Sequence, residues 1–281
     1  MRFLILGNEK KLQVREQAEL LAREIPAAGG QVVLIDLNSE SNLEHVEADV
    51  ALVLGGDGAI LRASRQMNTH QIPVLGINYG RLGFLADLST DEVLPQLKSV
   101  VEGRFRLCKH LMFECEIEGN GKFHKYLGLN EVVIRSSPPF HMVDLSLSID
   151  GEEVSRFLGD GIIVSTPIGS TAYSLAAGGP ILSQELPVFV ITQMCGHTLT
   201  YRPLVDSAQK TYSIRLEATD GACVVIDGQE LIELASLQTV TVRKSAVEFQ
   251  TIKVGSKTYY RTLRDKLNWG TTPNYRGNKL S

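Results

Sequence analysis

The sequence predicts an α/β N-terminal domain built on a parallel sheet, followed by an antiparallel, β-rich C-terminal domain. Three observations predict it. Over the first hundred residues, short apolar runs alternate with stretches of helical spacing, the pattern of βαβ units. After Gly103 the texture changes to alternating apolar and polar positions closed by glycine-containing turns, which suits antiparallel strands with one face on a core. The chain has 281 residues, 43% of them hydrophobic, enough to build one large domain or two ordinary ones around real cores.

Taken in order, residues 3–6 form the first apolar run. Residues 11–25 carry Leu12, Ala18, Leu21, Ala22 and Ile25 at helical spacing, and Pro26 is expected to stop that helix. Apolar runs return at 32–35, 50–54 and 73–77, with one helix predicted over 59–67 and another over about 91–101. Strands separated by helices in this way give a parallel, Rossmann-like sheet, whose ligands sit beyond the C-terminal strand ends. In the second half, residues 112–118 alternate and Gly119-Asn120-Gly121 reads as a hairpin turn. Residues 143–149 alternate up to Asp150-Gly151, a strong turn signal. Further β-like runs at 162–164, 188–192, 212–216, 224–226 and 240–242 complete a β-sandwich-like domain, broken by a helical island at 170–177. The tail has helical spacing over 259–267 and carries Arg261, Arg264 and Lys266. The expected division is 1–103 and 104–258, with a helix in 259–281 packing back on the first domain. With no low-complexity linker, a broad interface is expected.

Charge is nearly balanced: 28 Lys and Arg against 32 Asp and Glu give −4. That argues against a duplex nucleic-acid binder and leaves room for a small-molecule phosphate site. Cys108, Cys115, Cys195 and Cys223 show no C-x-x-C spacing, so reduced thiols are expected rather than zinc or disulfides. The apolar N-terminal run soon meets Glu9, Lys10 and Lys11, too short for a signal peptide, and no stretch approaches a membrane span. A soluble cytoplasmic protein is expected, with no nucleic-acid or membrane partner.

The first chemical signal is Gly55-Gly56-Asp57-Gly58, directly after the apolar run 50–54. Three glycines let a ligand approach the backbone and tolerate positive φ, and N–H groups at a helix start seat a phosphate. A carboxylate there would be repelled by that phosphate unless it has a task, such as taking a proton or holding a metal. The same residues suit a plain strand-to-helix turn with Asp as a cap. The second signal is Gly159-Asp160-Gly161 followed by Ser165-Thr166-Pro167-Ile168-Gly169-Ser170-Thr171-Ala172-Tyr173-Ser174 and Gly178-Gly179-Pro180. Small and hydroxyl residues at this density allow a ligand to lie against the backbone, although Ser170 could cap and Gly178-Gly179 could stop a helix. Asn130-Glu131 adds two polar residues to an apolar run, where a buried strand would not want them. His197 reads as a structural residue, His45, His70, His110 and His124 as incidental, and Trp269 as a packing residue.

Taken together, these motifs resemble the NAD kinases over nearly the whole chain. The carrying residues are Gly55-Gly56-Asp57-Gly58, the segment from Leu75-Gly76-Ile77-Asn78-Tyr79 through Gly80-Arg81-Leu82-Gly83-Phe84-Leu85, Asn130-Glu131, and Asp160-Gly161 with Ser165-Thr166-Pro167. Gly169-Ser170-Thr171-Ala172-Tyr173, His197-Thr198-Leu199 with Arg202-Pro203-Leu204, and Asp227-Gly228-Gln229 complete the set. Phosphofructokinases and diacylglycerol-type lipid kinases share the first motif; the ordered set is specific.

The resemblance implies an α/β nucleotide-binding domain and a β-rich NAD-binding domain. It also implies ATP-dependent phosphorylation of the 2′-hydroxyl of the adenosine ribose of NAD, giving NADP. Asp57 would be the base on that hydroxyl, with Gly58 and Arg62 beside the dinucleotide and Asn130 and Glu131 on ribose hydroxyls. Asp160 and Thr171, Ala172, Tyr173, Ser174, Leu175 and Ala176 would frame the adenine, with His141 and Gln229 nearby. A divalent metal, Mg2+, would be bound mainly through the donor's phosphates, with no metal site in the protein itself. Relatives suggest a homodimer or homotetramer. The chain departs from the family's usual pattern at Leu158, Ile168, Ala176 and Gly196, where a basic residue, Thr, Ser and Pro are common. Leu158 bears on NAD against NADH preference; the donor, ATP or polyphosphate, stays open. The rival readings are a diacylglycerol-type lipid kinase and a non-catalytic dinucleotide-binding sensor.

Overall fold

Strand and helix alternate through the N-terminal half of the computed structural model, which describes residues 1–38, 41–80, 83–119, 122–197, 200–218, 221–255 and 257–270. Of the features expected above, Arg81, Leu82, Asn120, Gly121, Thr198, Leu199 and residues 271–281 lie outside the described residues. The first elements are β1 (Arg2–Leu6), α1 (Leu12–Ala27), β2 (Gln31–Asp36), β3 (Val50–Leu54), α2 (Asp57–Met67), β4 (Val74–Asn78), β5 (Leu88–Ser89) and α3 (Thr90–Val101). Strands β1 to β4 are parallel in the order β2-β1-β3-β4. Both faces of the sheet are covered, which is why β3 is a continuous apolar run, β4 is apolar up to its last residue Asn78, and both are buried at every position. Val14, Ala18, Leu21 and Ile25 of α1 and Val93, Leu97 and Val100 of α3 pack on one face. Ile60, Leu61, Ala63 and Met67 of α2 pack on the other.

Two local expectations shift. Helix α1 runs through Pro26 to Ala27: a proline in the last turn forfeits a single N–H bond, and Gly30 N–H still reaches back to the Ile25 carbonyl at 2.9 Å. Helix α2 starts two residues earlier than its spacing suggests, so Asp57 is its first residue and Gly56 its cap. Gly55, at φ +157°, makes the turn from β3.

The second half contains β6 (Arg106–Gly119), β7 (Lys122–Gly128), β8 (Glu131–Ser136), β9 (Val143–Ile149), β10 (Glu152–Gly159) and β11 (Gly161–Ser165). A 3-10 turn (Gly169–Thr171) and the short α4 (Tyr173–Ala176) follow. Then come β12 (Val188–Met194), β13 (Leu204–Ser207), β14 (Tyr212–Ala218), β15 (Ala222–Ile226), β16 (Glu230–Leu234), β17 (Thr239–Lys253) and α5 (Tyr259–Leu267). The island is two pieces rather than one helix because Ala172, at φ −103° and ψ −125°, is not helical. Asp150-Gly151 does form the β9–β10 turn, with both residues at positive φ.

The strands make two facing layers. One sheet has the antiparallel order β13-β12-β11-β8-β15-β16. The other runs β10-β9-β14-β17-β4-β3-β1-β2. Its antiparallel part packs on the first sheet through Phe113, Leu145, Leu147, Tyr212 and Val242 against Ile134, Ile162, Phe189 and Val224, a β-sandwich core. Strand β17 decides how the halves meet. It pairs antiparallel with β14 at Tyr212↔Val242 and parallel with β4 at Thr251↔Val74. The parallel and antiparallel strands therefore belong to one continuous sheet. Leu129 and Ile168 add a second link, packed in one core with Ile60 and Leu61 of α2. Ile168 is thus a core residue, which accounts for the apolar side chain at this position.

Candidate functional site

Asp57 is held by the chain that follows β4. Its Oδ2 accepts the Phe84 N–H at 2.9 Å, and its Oδ1 accepts the Leu85 and Ala86 N–H groups at 3.0 and 3.4 Å. Gly83 permits this wrap, because a Cβ there would overlap Asp57 Oδ1. The ammonium of Lys266, from α5, lies 3.3 Å from Oδ2 and 4.3 Å from the centre of the Phe84 ring. The carboxylate is therefore fixed at the helix start, where negative charge is also favoured by the dipole.

A second cluster forms where three strands of the antiparallel sheet end together. Glu131 pairs with Ser165 across β8 and β11, and Val132 pairs with Ile226 across β8 and β15. The Asp227-Gly228 turn, at φ +49° and +65°, has the two left-handed residues of a tight hairpin. It carries the Asp227 carboxylate onto the N–H groups of Leu129, Asn130 and Glu131, at 2.8, 2.7 and 3.1 Å. Thr166 Oγ1 donates to the Leu129 carbonyl at 2.6 Å, and Thr166 N–H to the Asn130 carbonyl at 2.9 Å. Gly169 passes so close that a Cβ would overlap the Asn130 carbonyl. Asn130 Oδ1 and Glu131 Oε2 are buried with no hydrogen-bond partner among the described residues. Two adjacent orphan oxygens call for hydrogen-bond partners, and the hydroxyls of a sugar, which both donate and accept, supply them.

The electrostatics of this cluster are strained. Burial and the neighbouring Asp227 push Glu131 up to about 8. Burial likewise pushes Asp227 up to about 6, against the pull of its three N–H donors. The folded protein therefore keeps a proton on Glu131 that the unfolded chain releases near 4.5. That contribution is fully present below pH 4.5 and is lost as pH rises through about 8. Glu131→Gln is accordingly expected to be more stable than the parent at pH 8.5, by roughly 2–4 kcal/mol, with the advantage vanishing towards pH 4.5. Calorimetry of both proteins across pH 4.5–8.5 checks this; a difference independent of pH would mean that Glu131 is not held protonated.

Gln229 joins the two clusters, its Nε2 donating to the Gly58 carbonyl at 3.3 Å. Gly58 itself faces open space, and Arg62 lies half-buried one turn further along α2. Thr171, Ala172, Tyr173, Leu175 and Ala176 follow at the same end of β11, with Tyr173 and Ala176 exposed. Ser174 turns inward to Thr192 Oγ1 at 3.0 Å.

Asp160 and His141 are not brought to this cluster. Asp160 precedes β11, whose far end carries Ser165, a separation of about 15 Å at strand spacing. Its neighbours are Ser136 and Met194, through backbone bonds of 2.9 and 3.0 Å, and the Cys195 thiol. His141 is exposed in the loop before β9. Leu158, 41% exposed, lies on β10 beside them and accepts the His197 N–H at 2.9 Å through its carbonyl. Gly196 stands where a Cβ would crowd Gln193 Oε1 at 2.6 Å. Among the histidines read as incidental, His110 is buried with Nε2 2.8 Å from Thr251 Oγ1, and burial lowers it to about 3. Trp269, expected to pack, is 56% exposed.

Sequence reading named Asp227 only as part of a motif and gave Lys266 no role. An Asp-Gly turn after an apolar run was the available signal for the first. For the second it was the spacing of Tyr259, Leu263 and Lys266, which share one helix face.

A carboxylate locked on a glycine turn at a helix start, tied through Gln229 to paired orphan acceptors, is the arrangement of a small-molecule kinase acting on a hydroxyl. Comparison with known proteins specifies the family. Residues 4–105 match the ATP-NAD kinase N-terminal domain, and residues 129–254 the ATP-NAD kinase C-terminal domain. The NAD kinase of Rhodopirellula baltica is 41% identical over 270 residues, 95% of this chain and 86% of that protein. The NAD kinase of Nitrosomonas eutropha is 33% identical over 279 residues, covering 95% and 94%. The chain belongs to the NAD kinase family. Among solved structures, an NAD kinase from Archaeoglobus fulgidus in complex with ATP aligns at TM-score 0.79 and 29% identity, covering 95% of this chain and 99% of that one. Yeast NADH kinase complexed with NADH shares the fold at TM-score 0.88 and 20% identity, covering 99% and 90%.

Proposed function

We propose that this chain is an NAD kinase, moving the terminal phosphate of ATP, or of another nucleoside triphosphate or polyphosphate, to the 2′-hydroxyl of the adenosine ribose of NAD. The observation that carries this reading is the pair of buried oxygens at Asn130 and Glu131 with no hydrogen-bond partner among the described residues, joined through Asp227 and Gln229 to the turn that holds Asp57. The names of the relatives support the same reading, as does a structural neighbour described with ATP.

In this mechanism Asp57 accepts the proton of the 2′-hydroxyl as its oxygen bonds to the terminal phosphorus of the donor. The bond from that phosphorus to the bridging oxygen breaks, and ADP departs. Such a transfer needs alignment and charge neutralisation more than covalent help. The first N–H groups of α2 and the bare backbone at Gly58 seat the phosphate. A divalent ion such as Mg2+, carried on the donor's phosphates, would supply positive charge to offset theirs. Thr171 and Tyr173 offer side chains to the adenine, while Ser174 and Ala176 leave that work to backbone groups. Asp160 cannot reach the same ring within one chain, given its place at the far end of β11. A second copy, in a homodimer or homotetramer, completes the pocket in this reading. No helix among the described residues is long and apolar enough to cross a membrane; four unpaired cysteines favour a cytoplasmic setting.

The test is incubation of the purified protein with Mg2+, NAD and each of ATP and polyphosphate, followed by assay of NADP. NADP formation is expected with at least one donor. No NADP under any donor or metal condition overturns the proposal; NAD binding without turnover would then indicate a sensor, and phosphorylated diacylglycerol a lipid kinase. A narrower prediction concerns Gly83→Ala, whose Cβ displaces the Asp57 carboxylate. Turnover is expected to fall about 10²-fold with NAD affinity within about threefold, as measured by steady-state kinetics and calorimetry. Unchanged kcat would mean that turnover does not depend on this orientation of Asp57.

A further inference from the structure

We propose that Lys266 is a phosphate-binding residue that transfers from Asp57 to the phosphoryl donor, and that its departure exposes Asp57 to the acceptor hydroxyl. The inference rests on the reading of Asp57 as base. It starts from a conflict in the geometry. A carboxylate has about four acceptor positions. Leu85 and Ala86 fill those of Oδ1, while Phe84 and Lys266 fill those of Oδ2. A base so saturated has no lone pair left for a hydroxyl. The three N–H groups belong to the fixed chain around Gly83. Lys266 is the member that can move, because its ammonium ends a flexible four-carbon stem and its side chain is 30% exposed.

The helix that carries Lys266 is well anchored. Thr258 caps α5 by accepting the Arg261 N–H, and Leu263 is buried. Tyr259 Oη donates to the Leu182 carbonyl at 2.7 Å. Just ahead of α5, Lys257 Nζ donates to the Asp87 carbonyl at 3.1 Å and to Glu92 at 2.6 Å. Lys253 Nζ donates to Asp87 Oδ1 at 3.1 Å. Asp87 ends the same segment whose N–H groups hold Asp57, so α5 is keyed to the base from both sides. Tyr259, Leu263 and Lys266 lie on one face, which turns Lys266 toward the protein.

The anionic terminal phosphate of a donor arriving at the start of α2 presents a stronger partner for this ammonium than a carboxylate already satisfied by three N–H groups. Once Lys266 pairs with it, one Oδ2 lone pair opens for the 2′-hydroxyl, whose proton passes to Asp57 as the phosphoryl group leaves the bridging oxygen. Donor binding and exposure of the base are thereby coupled, and the cation offsets charge on the transferring group.

Kinetics of Lys266→Met and Lys266→Arg, with NAD affinity measured by calorimetry, test the proposal. Lys266→Met is expected to lower kcat/KM for ATP about 10²-fold, with NAD affinity within about threefold and Lys266→Arg recovering at least about tenfold of the loss. In the Asp57→Asn background, Lys266→Met is expected to slow the residual rate about tenfold further, because a contact to phosphate does not need the base. Wild-type kcat/KM for ATP in Lys266→Met overturns the proposal while leaving Asp57 untouched. A double variant no slower than Asp57→Asn also overturns it, since Lys266 would then act through Asp57 alone. Wild-type turnover in Asp57→Asn overturns the underlying reading instead. Where Lys266→Met melts markedly lower, Lys266→Gln, which keeps a polar end on the stem, carries the same comparison.

Discussion

Asp57→Asn is expected to bind NAD within about threefold of the parent and to lose 10²-fold or more in kcat, the scale of a removed general base. The amide keeps one acceptor for the Leu85 N–H but sets an NH2 against the Phe84 N–H and the Lys266 ammonium. Two donors facing donors cost about 1–3 kcal/mol, so melting curves must accompany the kinetics to separate lost chemistry from lost fold. Steady-state turnover with saturating NAD and ATP reads the first, and calorimetric NAD affinity shows that the acceptor site survives. Near-parental kcat in a folded Asp57→Asn protein would assign the proton to another group.

Asp227→Ala carries the second large effect. Its carboxylate takes three consecutive N–H groups from Leu129, Asn130 and Glu131, and removing it leaves all three without their acceptor. At about 1–3 kcal/mol for each buried unsatisfied group, the expected loss is about 3 kcal/mol or more. The same N–H groups orient Asn130 and Glu131, so NAD affinity is expected to fall at least about tenfold. Asp227→Asn is the milder change. Its single carbonyl oxygen can stay with Asn130 and Glu131, forfeiting the Leu129 contact. The order parent, Asn, Ala should therefore appear both in urea midpoints and in NAD affinity. Equal stability of all three would mean that the Asp227 turn does not hold the Asn130-Glu131 loop.

Much of the fold was legible because its signals are local. Apolar runs such as 50–54 and 73–77 are what a strand buried on both faces requires, and Asp150-Gly151 is what a left-handed turn requires. The errors were local too. Pro26 sits inside the last turn of α1 because a proline there gives up one bond rather than a helix. The island expected at 170–177 broke in two because Ala172 leaves helical geometry, a deviation that no propensity of alanine signals.

The candidate site was legible to a lesser degree. Gly55-Gly56-Asp57-Gly58 announced a phosphate-tolerant turn, and Asn130-Glu131 stood out as polar residues in an apolar run. Why Gly83 must be glycine was invisible, since its reason is an Asp57 carboxylate 26 positions earlier in the chain. Asp160 was grouped with Thr171 to Ala176 by the family resemblance, yet the five-residue β11 separates it from Ser165, at whose end they follow.

By itself the sequence determined the strand and helix alternation of the first half, many strands of the second and the Asp150-Gly151 turn, because periodicity and backbone preference act over a few residues. Only the tertiary structure decided that β17 joins those sheets into one and that Asp227 supports the Asn130-Glu131 loop. It also decided that Lys266 meets Asp57 across 209 residues of chain. Those pairings depend on which buried faces find each other, through Leu129 and Ile168 on α2 and Leu263 under α5. Contact between distant faces is a property of packing, and no local pattern in the chain encodes it.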